Sequence, residues 1–343
     1  MGSSLIRNLA VLTEGHSNAD ILGRDTQARE LQACLAPASE GRKPLHAWLH
    51  GKPGTGKTTI ARHVLSKFQT NSRAHVVHVN CWQHPTLFMV LQAIIESLRI
   101  VIPDNANTAV KLHRIRSHIG TLPLVVVLDE IDKAQPKDQS SILYTLAEFE
   151  SAGVVCISNS RATLLSLDDR VKSRLNSVFI GFELYSSEEL RRILQARAGQ
   201  ALVPGCFSPE LLERIAELSA GDARVAIQTL RQAAQLAEVQ GVRVISNEHI
   251  ERSAATVRTL RTQYTLNKLT EHHRLVFSIA SSAREITNAA LWTAYLEKCT
   301  EANKVPVADR TFRAYVNTLV LQGLLQRERL AEPGATFVLR PRA

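Results

Sequence analysis

A glycine-rich stretch of eight residues carries the clearest chemistry in the sequence. It follows a predicted strand, precedes a predicted helix and matches the pattern GxxxxGK[ST] in full: Gly51, Lys52, Pro53, Gly54, Thr55, Gly56, Lys57 and Thr58. Glycines let backbone N–H groups turn inward around phosphates, and the positive end of the following helix adds to the attraction. Lys57 then neutralises the outer phosphates and the Thr58 hydroxyl reaches Mg²⁺. The stretch predicts a site for a nucleoside triphosphate with its metal.

A pair of acidic residues follows the uninterrupted apolar run Leu124–Leu128. Such a run predicts a strand that crosses the core, so that Asp129 and Glu130 emerge at its carboxyl end, where open α/β sheets bind ligands. There Asp129 can hold the Mg²⁺ shell and Glu130 can polarise the attacking water. Asp132 is expected to be structural.

Asn159 ends the next predicted strand, Val154–Ser158. Adjacent parallel strands end on the same edge of a sheet, so its amide can orient the same water. An ordinary turn residue at the end of a strand is the alternative interpretation.

Three arginines have two interpretations each. Arg170 and Arg174 are four residues apart and share a helix face, in a basic run that the sequence leaves unpaired. They form either a solvated basic face or an arginine finger for the nucleotide of a neighbouring subunit. Arg224 begins a helix, where a cation opposes the macrodipole, so we expect an anionic partner there, either Asp222 or a bound phosphate.

The elements that position these residues form an α/β domain followed by helices. Near-continuous Val, Leu and Ile runs alternate with helical stretches from Ala47 to Phe182, which predicts a parallel sheet buried on both faces. From Ser186 the pattern becomes helical, and from about residue 263 three helices precede a hairpin, the order of a winged helix-turn-helix with Asp309–Gln322 as recognition helix. The predicted domains are 1–185, 186–262 and 263–343.

Composition excludes several classes of protein. The chain has 343 residues, 45% of them hydrophobic, with 16 Gly and 12 Pro, which excludes a disordered or collagen-like chain. No apolar run approaches the ~18 residues of a membrane span, and five scattered cysteines form no CxxC pair. We therefore expect a soluble intracellular protein without a membrane partner.

The basic charge of the chain is concentrated near its end. The net charge is +9, and residues 251–343 contribute six of these nine with 14 Lys and Arg against 8 Asp and Glu. A local excess of this kind favours nucleic acid as partner, although a solvated basic surface remains an equal alternative on charge alone.

Taken together, the motifs resemble those of AAA+ ATPases of the initiator clade, and most of all the archaeal origin-recognition and helicase-loader family, which is related to eukaryotic origin recognition complex subunits. The resemblance covers about residues 16–260 strongly and 265–343 weakly. It is carried by the P-loop, the Leu-Asp-Glu-Ile-Asp and Ile-Ser-Asn segments, Arg-Val-Lys-Ser-Arg-Leu, Gly-Asp-Ala-Arg, and the shorter matches Leu22–Asp25 and Val79–Trp82.

The resemblance implies a role for each candidate residue. Lys57 and Thr58 would contact ATP or ADP with Mg²⁺, Asp129 and Glu130 would be the metal and catalytic carboxylates, and Asn159 would be sensor 1. Arg174 or Arg170 would be the finger and Arg224 sensor 2, and Tyr185 would join the nucleotide contacts at the start of the lid.

The resemblance also implies a replication initiator that binds double-stranded origin DNA and helps load the replicative helicase. It would be a weak ATPase of the cytoplasm, associated with the nucleoid, with homologous AAA+ subunits beside it on DNA. The predicted wing tip, Glu332-Pro333-Gly334, is short and acidic where the family has Gly and Arg, so we expect DNA contacts from Arg310, Arg313, Arg327, Arg329 and Arg340.

Two other functions share these motifs. One is a nucleotide-gated winged-helix regulator of transcription or plasmid maintenance, against which the intact Asp129-Glu130 pair argues. The other is an AAA+ DNA motor, such as a branch-migration helicase, or a clamp-loader-like subunit, which would show strong DNA-stimulated turnover.

Overall fold

The computed structural model describes residues 4–13, 16, 22–159, 162–329 and 337–341. The chain divides into two compact units, Met1–Ile250 and Glu251–Ala343. None of the helices in these ranges combines the length and the apolar character that crossing a bilayer requires.

A parallel sheet forms the centre of the first unit. Within the described ranges it has five strands in the order β2-β3-β4-β1-β5. Their bounds are β1 (Ala47–Gly51), β2 (His75–Asn80), β3 (Leu124–Asp129), β4 (Ala152–Ser158) and β5 (Val178–Phe182). Strands β3 and β4 lie within two residues of the predicted Leu124–Leu128 and Val154–Ser158, and the parallel sheet confirms the α/β prediction.

Helices cover both faces of this sheet. They are α1 (Asp25–Ser39), α2 (Lys57–Asn71), α3 (Leu87–Ser97), α4 (Thr108–Ile119), α5 (Pro136–Ala147), α6 (Ala162–Leu165) and α7 (Asp169–Leu175), with short 3₁₀ helices at Leu9–Leu12 and Ile131–Lys133. Strand β3, which lies between β2 and β4 in the sheet, shows why its run of apolar residues is unbroken. Leu124, Val126 and Leu128 lie in one buried core and Val125 and Val127 in the other, so every side chain of the run is buried.

A helical lid follows β5. It contains α8 (Ser187–Ala201), α9 (Pro209–Leu218) and α10 (Ala223–Val239). A capping box begins α8, with Ser186 and Glu189 each accepting from the other's backbone N–H. Ser208 precedes α9, but its hydroxyl makes no capping hydrogen bond and instead contacts the Glu210 side chain.

The N-terminal segment packs with the lid, although its place in the chain assigns it to the predicted domain 1–185. Leu5, Val11 and Leu12 are buried in the lid core. Ile6 forms a β-bridge with Leu202, and the Arg197 guanidinium donates to three backbone carbonyls of the segment. The segment packs with the lid because its apolar side chains are buried against α8 and α10. This contact joins residues far apart in the sequence, so no pattern near the segment predicts it.

The second unit has its own core around Tyr295, Phe312 and Leu339. Helix α11 (Asn247–Asn267) crosses the predicted domain boundary at 262/263 and continues five residues beyond it. It is followed by α12 (Glu271–Ala283), β6 (Ile286–Thr287), α13 (Asn288–Glu301), α14 (Asp309–Leu321), β7 (Leu325–Arg329) and β8 (Phe337–Pro341).

The described residues of this unit contain the predicted helices and hairpin strands, with one addition. Strand β6 pairs with β8 and completes an antiparallel sheet in the order β6-β8-β7. Two residues are too few for an alternating pattern, which is why the sequence does not reveal β6. The predicted wing tip at 332–334 lies outside the described residues.

Candidate nucleotide site

The P-loop joins β1 to α2 and lies in contact with the lid. Gly54 and Gly56 have positive φ angles of 81° and 89°. A Cβ atom at Gly54 would lie 1.9 Å from Asp222 Oδ1, and one at Gly56 would lie 2.5 Å from the hydroxyl of Tyr185. Glycine is therefore required at both positions by backbone conformation and by the closeness of the lid. The Ala223 N–H, at the start of α10, donates to the Gly54 carbonyl at 3.1 Å.

Lys57 is the charged group of this loop. It is 6% exposed, and its ammonium donates to the carbonyls of Gly51 at 2.7 Å and Lys52 at 2.9 Å. Burial, aided by the positive charge of Arg224, lowers the pKa of Lys57 to about 8. The ammonium is thus held inside the loop where phosphate oxygens of a nucleotide would lie.

Thr58 and Asp129 come together as the sequence predicts. The Thr58 hydroxyl donates to Asp129 Oδ1 at 3.2 Å, although the two residues are 71 positions apart. Asp129 ends β3 and is largely buried. Oxygen ligands from a hydroxyl and a carboxylate, next to a phosphate loop, are the set that Mg²⁺ binds together with nucleotide phosphates. The donor set fits that ion.

Glu130 and Asn159 lie at the ends of neighbouring strands. Glu130 has a left-handed backbone, with φ 54° and ψ 44°, and begins the 3₁₀ helix Ile131–Lys133. Asp132, in that helix, accepts from the Asn159 N–H at 3.3 Å, which ties the end of β4 to the turn after β3. The expected structural role of Asp132 is consistent with this contact.

A cavity of about 410 Å³ opens at this edge of the sheet. Asn159 lines it, together with residues that end β1 and β5: His50, Gly51, Lys52, Phe182, Glu183 and Leu184. The cavity therefore joins the beginning of the P-loop to the sensor position predicted for Asn159.

The lid contributes Arg224 and Tyr185. The Arg224 N–H donates to Asp222 Oδ1 at 3.0 Å, so the acidic partner expected from the sequence binds the backbone of Arg224. The exposed guanidinium acts on the P-loop, because its charge helps to lower the pKa of Lys57. Tyr185 is buried with its hydroxyl over Gly56, and burial raises its pKa.

Sequence reasoning did not identify Arg24 as part of this site, and for Asp222 it expected only a contact with Arg224. Arg24 is buried beside Thr55 and Tyr185, and Asp222 both caps α10 and contacts Gly54. For Asp222 the signal was visible, since an Asp before a helix is a strong cap. For Arg24 the sequence shows only an arginine between a glycine and a helix start.

The predicted finger arginines are not at the nucleotide edge. Arg174 forms an ion pair with Glu148 at 2.6 Å and lies over the Tyr144 ring at 4.4 Å. The expectation of an unpaired basic run is therefore wrong for Arg174, and also for Lys172, which pairs with Asp169 at 3.0 Å. Glu148 lies 26 residues from Arg174 in the sequence, and Asp169 lies one helical turn before Lys172, so a count of basic residues along the run revealed neither pair. Arg170 is exposed on the same short helix α7.

Arg174 belongs to the edge of the sheet where the strands begin. Glu148 ends α5 just before β4, and α7 ends just before β5. The P-loop follows the other end of β1, which is five residues or ~16 Å long. Arg174 therefore cannot reach the nucleotide of its own chain.

The arginines predicted to contact DNA differ in their surroundings. Arg310 is exposed in the first turn of α14, and Arg313 pairs with Asp309 at 2.8 Å. Arg327 donates to Asn317 Oδ1 at 2.8 Å. Arg340 is held between Glu285 and Glu328, each at 2.8 Å, so two carboxylates offset its charge. The side chain of Arg329 lies outside the described residues.

The fold and the site together define a class. A P-loop after β1, a carboxylate pair after β3, a polar residue after β4 and a helical lid in contact with the loop are the features of an AAA+ ATPase. Two family models agree: an AAA ATPase domain matches residues 20–157, and a Cdc6 AAA+ ATPase-type lid domain matches residues 191–255.

Similar proteins define the family. The ORC1-type DNA replication protein 1 of Sulfolobus acidocaldarius is 30% identical over 320 residues, which cover 88% of this chain and 81% of that protein. The ORC1-type DNA replication protein 1 of Halobacterium salinarum is 30% identical over 297 residues, covering 85% and 95%. The structure of Aeropyrum pernix ORC1 in complex with DNA has a TM-score of 0.78 and 28% identity and covers 100% of this chain and 95% of that one. The chain belongs to the family of ORC1-type DNA replication proteins, which confirms the resemblance.

The lowered pKa of Lys57 predicts how nucleotide affinity depends on pH. Bound phosphate favours the charged ammonium, so binding requires proton uptake once the free protein has lost that proton. We expect the Kd for ADP to be nearly constant below the pKa of about 8 and to rise up to tenfold per pH unit above it. Equilibrium titration from about pH 7 to about pH 9.5 measures this.

The Lys57→Ala variant is the control for this prediction. It should bind nucleotide much more weakly than the wild type, and its Kd should not follow the same rise. A wild-type Kd that stays constant to the alkaline end of the range would contradict the assignment of Lys57 as the titrating group.

Proposed function

We propose that this protein is an ATP-regulated replication initiator that binds duplex origin DNA and helps to load the replicative helicase. The observation that carries the proposal is the direct contact between P-loop and lid at Gly54 and Asp222, in a chain of this family. A nucleotide in that loop would touch both the sheet and the lid. Its presence would therefore set the arrangement of the lid.

In this proposal each side chain of the site has one task. Lys57 and the backbone N–H groups of residues 51–58 hold the phosphates, while Thr58 and Asp129 hold Mg²⁺. The metal would supply positive charge that offsets the phosphates during transfer. Glu130 polarises the attacking water, Asn159 orients it, and Arg224 contacts the outermost phosphate from the lid.

The Glu130→Gln variant tests the hydrolytic part of the mechanism. The amide keeps the size of the side chain but cannot accept a proton, so we expect ATP to bind with nearly unchanged Kd and turnover to fall by roughly 10²–10⁴-fold. Glu96→Gln is the matched control, since Glu96 is exposed on α3, contacts Gln92 and should leave turnover unchanged. Wild-type turnover in Glu130→Gln would place the base elsewhere.

We also propose that Arg174 acts on the nucleotide of a neighbouring subunit, with Arg170 as the alternative finger. The geometry supports action in trans, because Arg174 lies at the edge of the sheet opposite its own P-loop. Its pair with Glu148 is half-exposed, so a neighbouring phosphate can compete for the guanidinium. Homologous AAA+ subunits side by side on DNA would provide such neighbours.

Turnover as a function of protein concentration tests this action in trans. For Arg174→Ala we expect an unchanged Kd for ATP and a loss of the rise in specific activity that the wild type shows as subunits meet. Arg170→Ala distinguishes the two arginines, and Arg192→Ala, which removes an exposed lid arginine paired with Glu188, is the control. An equal loss at every dilution would make Arg174 a local structural residue.

For DNA we propose that the second unit is a winged helix and that α14 is its recognition helix. Arg310 and Arg313 lie in the first turns of α14, which is the part of such a helix that meets base edges. Arg327 and Arg329 would contact phosphates, and Arg340 contributes less to DNA binding than the sequence suggests, because Glu285 and Glu328 offset its charge.

We also propose the division of the chain into domains 1–185, 186–262 and 263–343. The proposed location of the protein is the cytoplasm, in association with the nucleoid.

Salt-dependent anisotropy on origin and scrambled duplexes tests this assignment. We expect Arg310→Ala/Arg313→Ala to lose discrimination between the two, at ~1–3 kcal/mol for each base contact. Arg327→Ala should weaken both duplexes alike and reduce the salt slope by about one. If the double variant binds both duplexes as the wild type does, α14 is not the element that recognises sequence.

A further inference from the structure

A buried arginine outside the predicted site connects three parts of the first unit. Arg24 is 4% exposed and immediately precedes α1. Its Nε donates to the carbonyl of Thr55 in the P-loop at 3.1 Å, and its Nη2 donates to the carbonyl of Glu183, just after β5. A guanidinium offers donors in a fixed planar fork, which is why one side chain can hold two backbone segments at once.

The ring of Tyr185 lies against the same guanidinium. The distance from Arg24 Cζ to the ring centroid is 3.8 Å, which is a close cation–π contact. The other end of Tyr185, its hydroxyl, lies over Gly56. Arg24 therefore supports the P-loop twice, directly at Thr55 and through Tyr185 at Gly56.

The lid reaches Arg24 through Glu189. One carboxylate oxygen of Glu189 accepts from the Ser186 N–H at 2.8 Å and caps α8, while the other lies 4.0 Å from Arg24 Nη1. Gly23 makes room for this arrangement. It has a φ of 74°, and a Cβ atom there would lie 3.0 Å from Glu189 Oε1, the oxygen that faces Arg24. The first turn of α8 is thus held against the residue that holds the P-loop.

We propose that Arg24 is a positioning residue that couples the P-loop to α8, so that nucleotide on the loop orders the start of the lid through this one guanidinium. The inference rests on the proposed nucleotide site and adds a path within it. A second path from loop to lid, from Gly54 to Asp222 and Ala223, leads to α10 and does not involve Arg24. The two paths can therefore be separated by experiment.

Hydrogen exchange with and without ADP, in the wild type and in Arg24→Met, measures both paths at once. In the wild type we expect ADP to slow exchange in α2, α8 and α10. In Arg24→Met the protection of α2 and α10 should remain and that of α8 should be lost. The Kd for ADP should rise roughly tenfold, equivalent to about 1.4 kcal/mol.

Two further variants distinguish coupling from a loss of stability. Arg24→Lys keeps the charge without the fork and should resemble Arg24→Met in α8 protection while folding normally. Glu189→Gln keeps an oxygen for the Ser186 N–H but removes the charge that faces Arg24, and it should reduce α8 protection with little effect on α2. Arg29→Met, on the exposed face of α1, is the matched control and should behave as the wild type.

The inference is overturned if ADP protects α8 in Arg24→Lys and Glu189→Gln as it does in the wild type, or if it does not protect α8 in the wild type. Lys57→Ala separates this failure from failure of the site itself. If Lys57→Ala binds ADP with wild-type affinity, the proposed nucleotide site is wrong. If Lys57→Ala binds ADP more weakly as expected, but ADP still protects α8 in the Arg24 variants, only the coupling is wrong.

Discussion

The lid of this protein lies so close to the P-loop that two glycines of the loop have no room for a side chain. Asp222 occupies the space beside Gly54 and the Tyr185 hydroxyl the space beside Gly56. Glycine in such a loop is usually explained by the backbone conformation that surrounds a phosphate. Here the absence of a side chain at both glycines also leaves the space that these lid atoms occupy. Much of the site depends on this contact, because it brings Arg224 of the lid near Lys57. The loop is thus one surface of an interface within the chain.

Local patterns predicted the sheet and most of the nucleotide site. The P-loop and the apolar run of β3 each depend on residues close in sequence, and each is present. The pairing of Thr58 with Asp129 was also predictable, since the carboxyl ends of all strands of a parallel sheet meet at one edge. These predictions needed only periodicity and the chemistry of phosphate.

Long-range contacts were not predictable in this way. Nothing near Leu12 in the sequence indicates that it is buried against the lid, and nothing near Arg24 indicates that its acceptors are at Thr55 and Glu183. Charge counting fails for the same reason. Arg174 and Arg340 look like free cations in sequence, but Glu148 lies 26 residues from the first and Glu285 lies 55 residues from the second. A local surplus of basic residues therefore overstates the positive surface that is available to DNA.

The two edges of the sheet set a limit on what one subunit can do. Strand direction places the P-loop, Asp129 and Asn159 where the strands end, and places Arg174 where they begin. A parallel sheet keeps these edges apart by the full length of its strands, and helix packing on both faces prevents the sheet from folding back. A site that requires an arginine from that opposite edge must therefore obtain it from another chain. In such an assembly, the ion pair with Glu148 would keep the guanidinium ordered on the surface until a more strongly charged partner replaces the carboxylate.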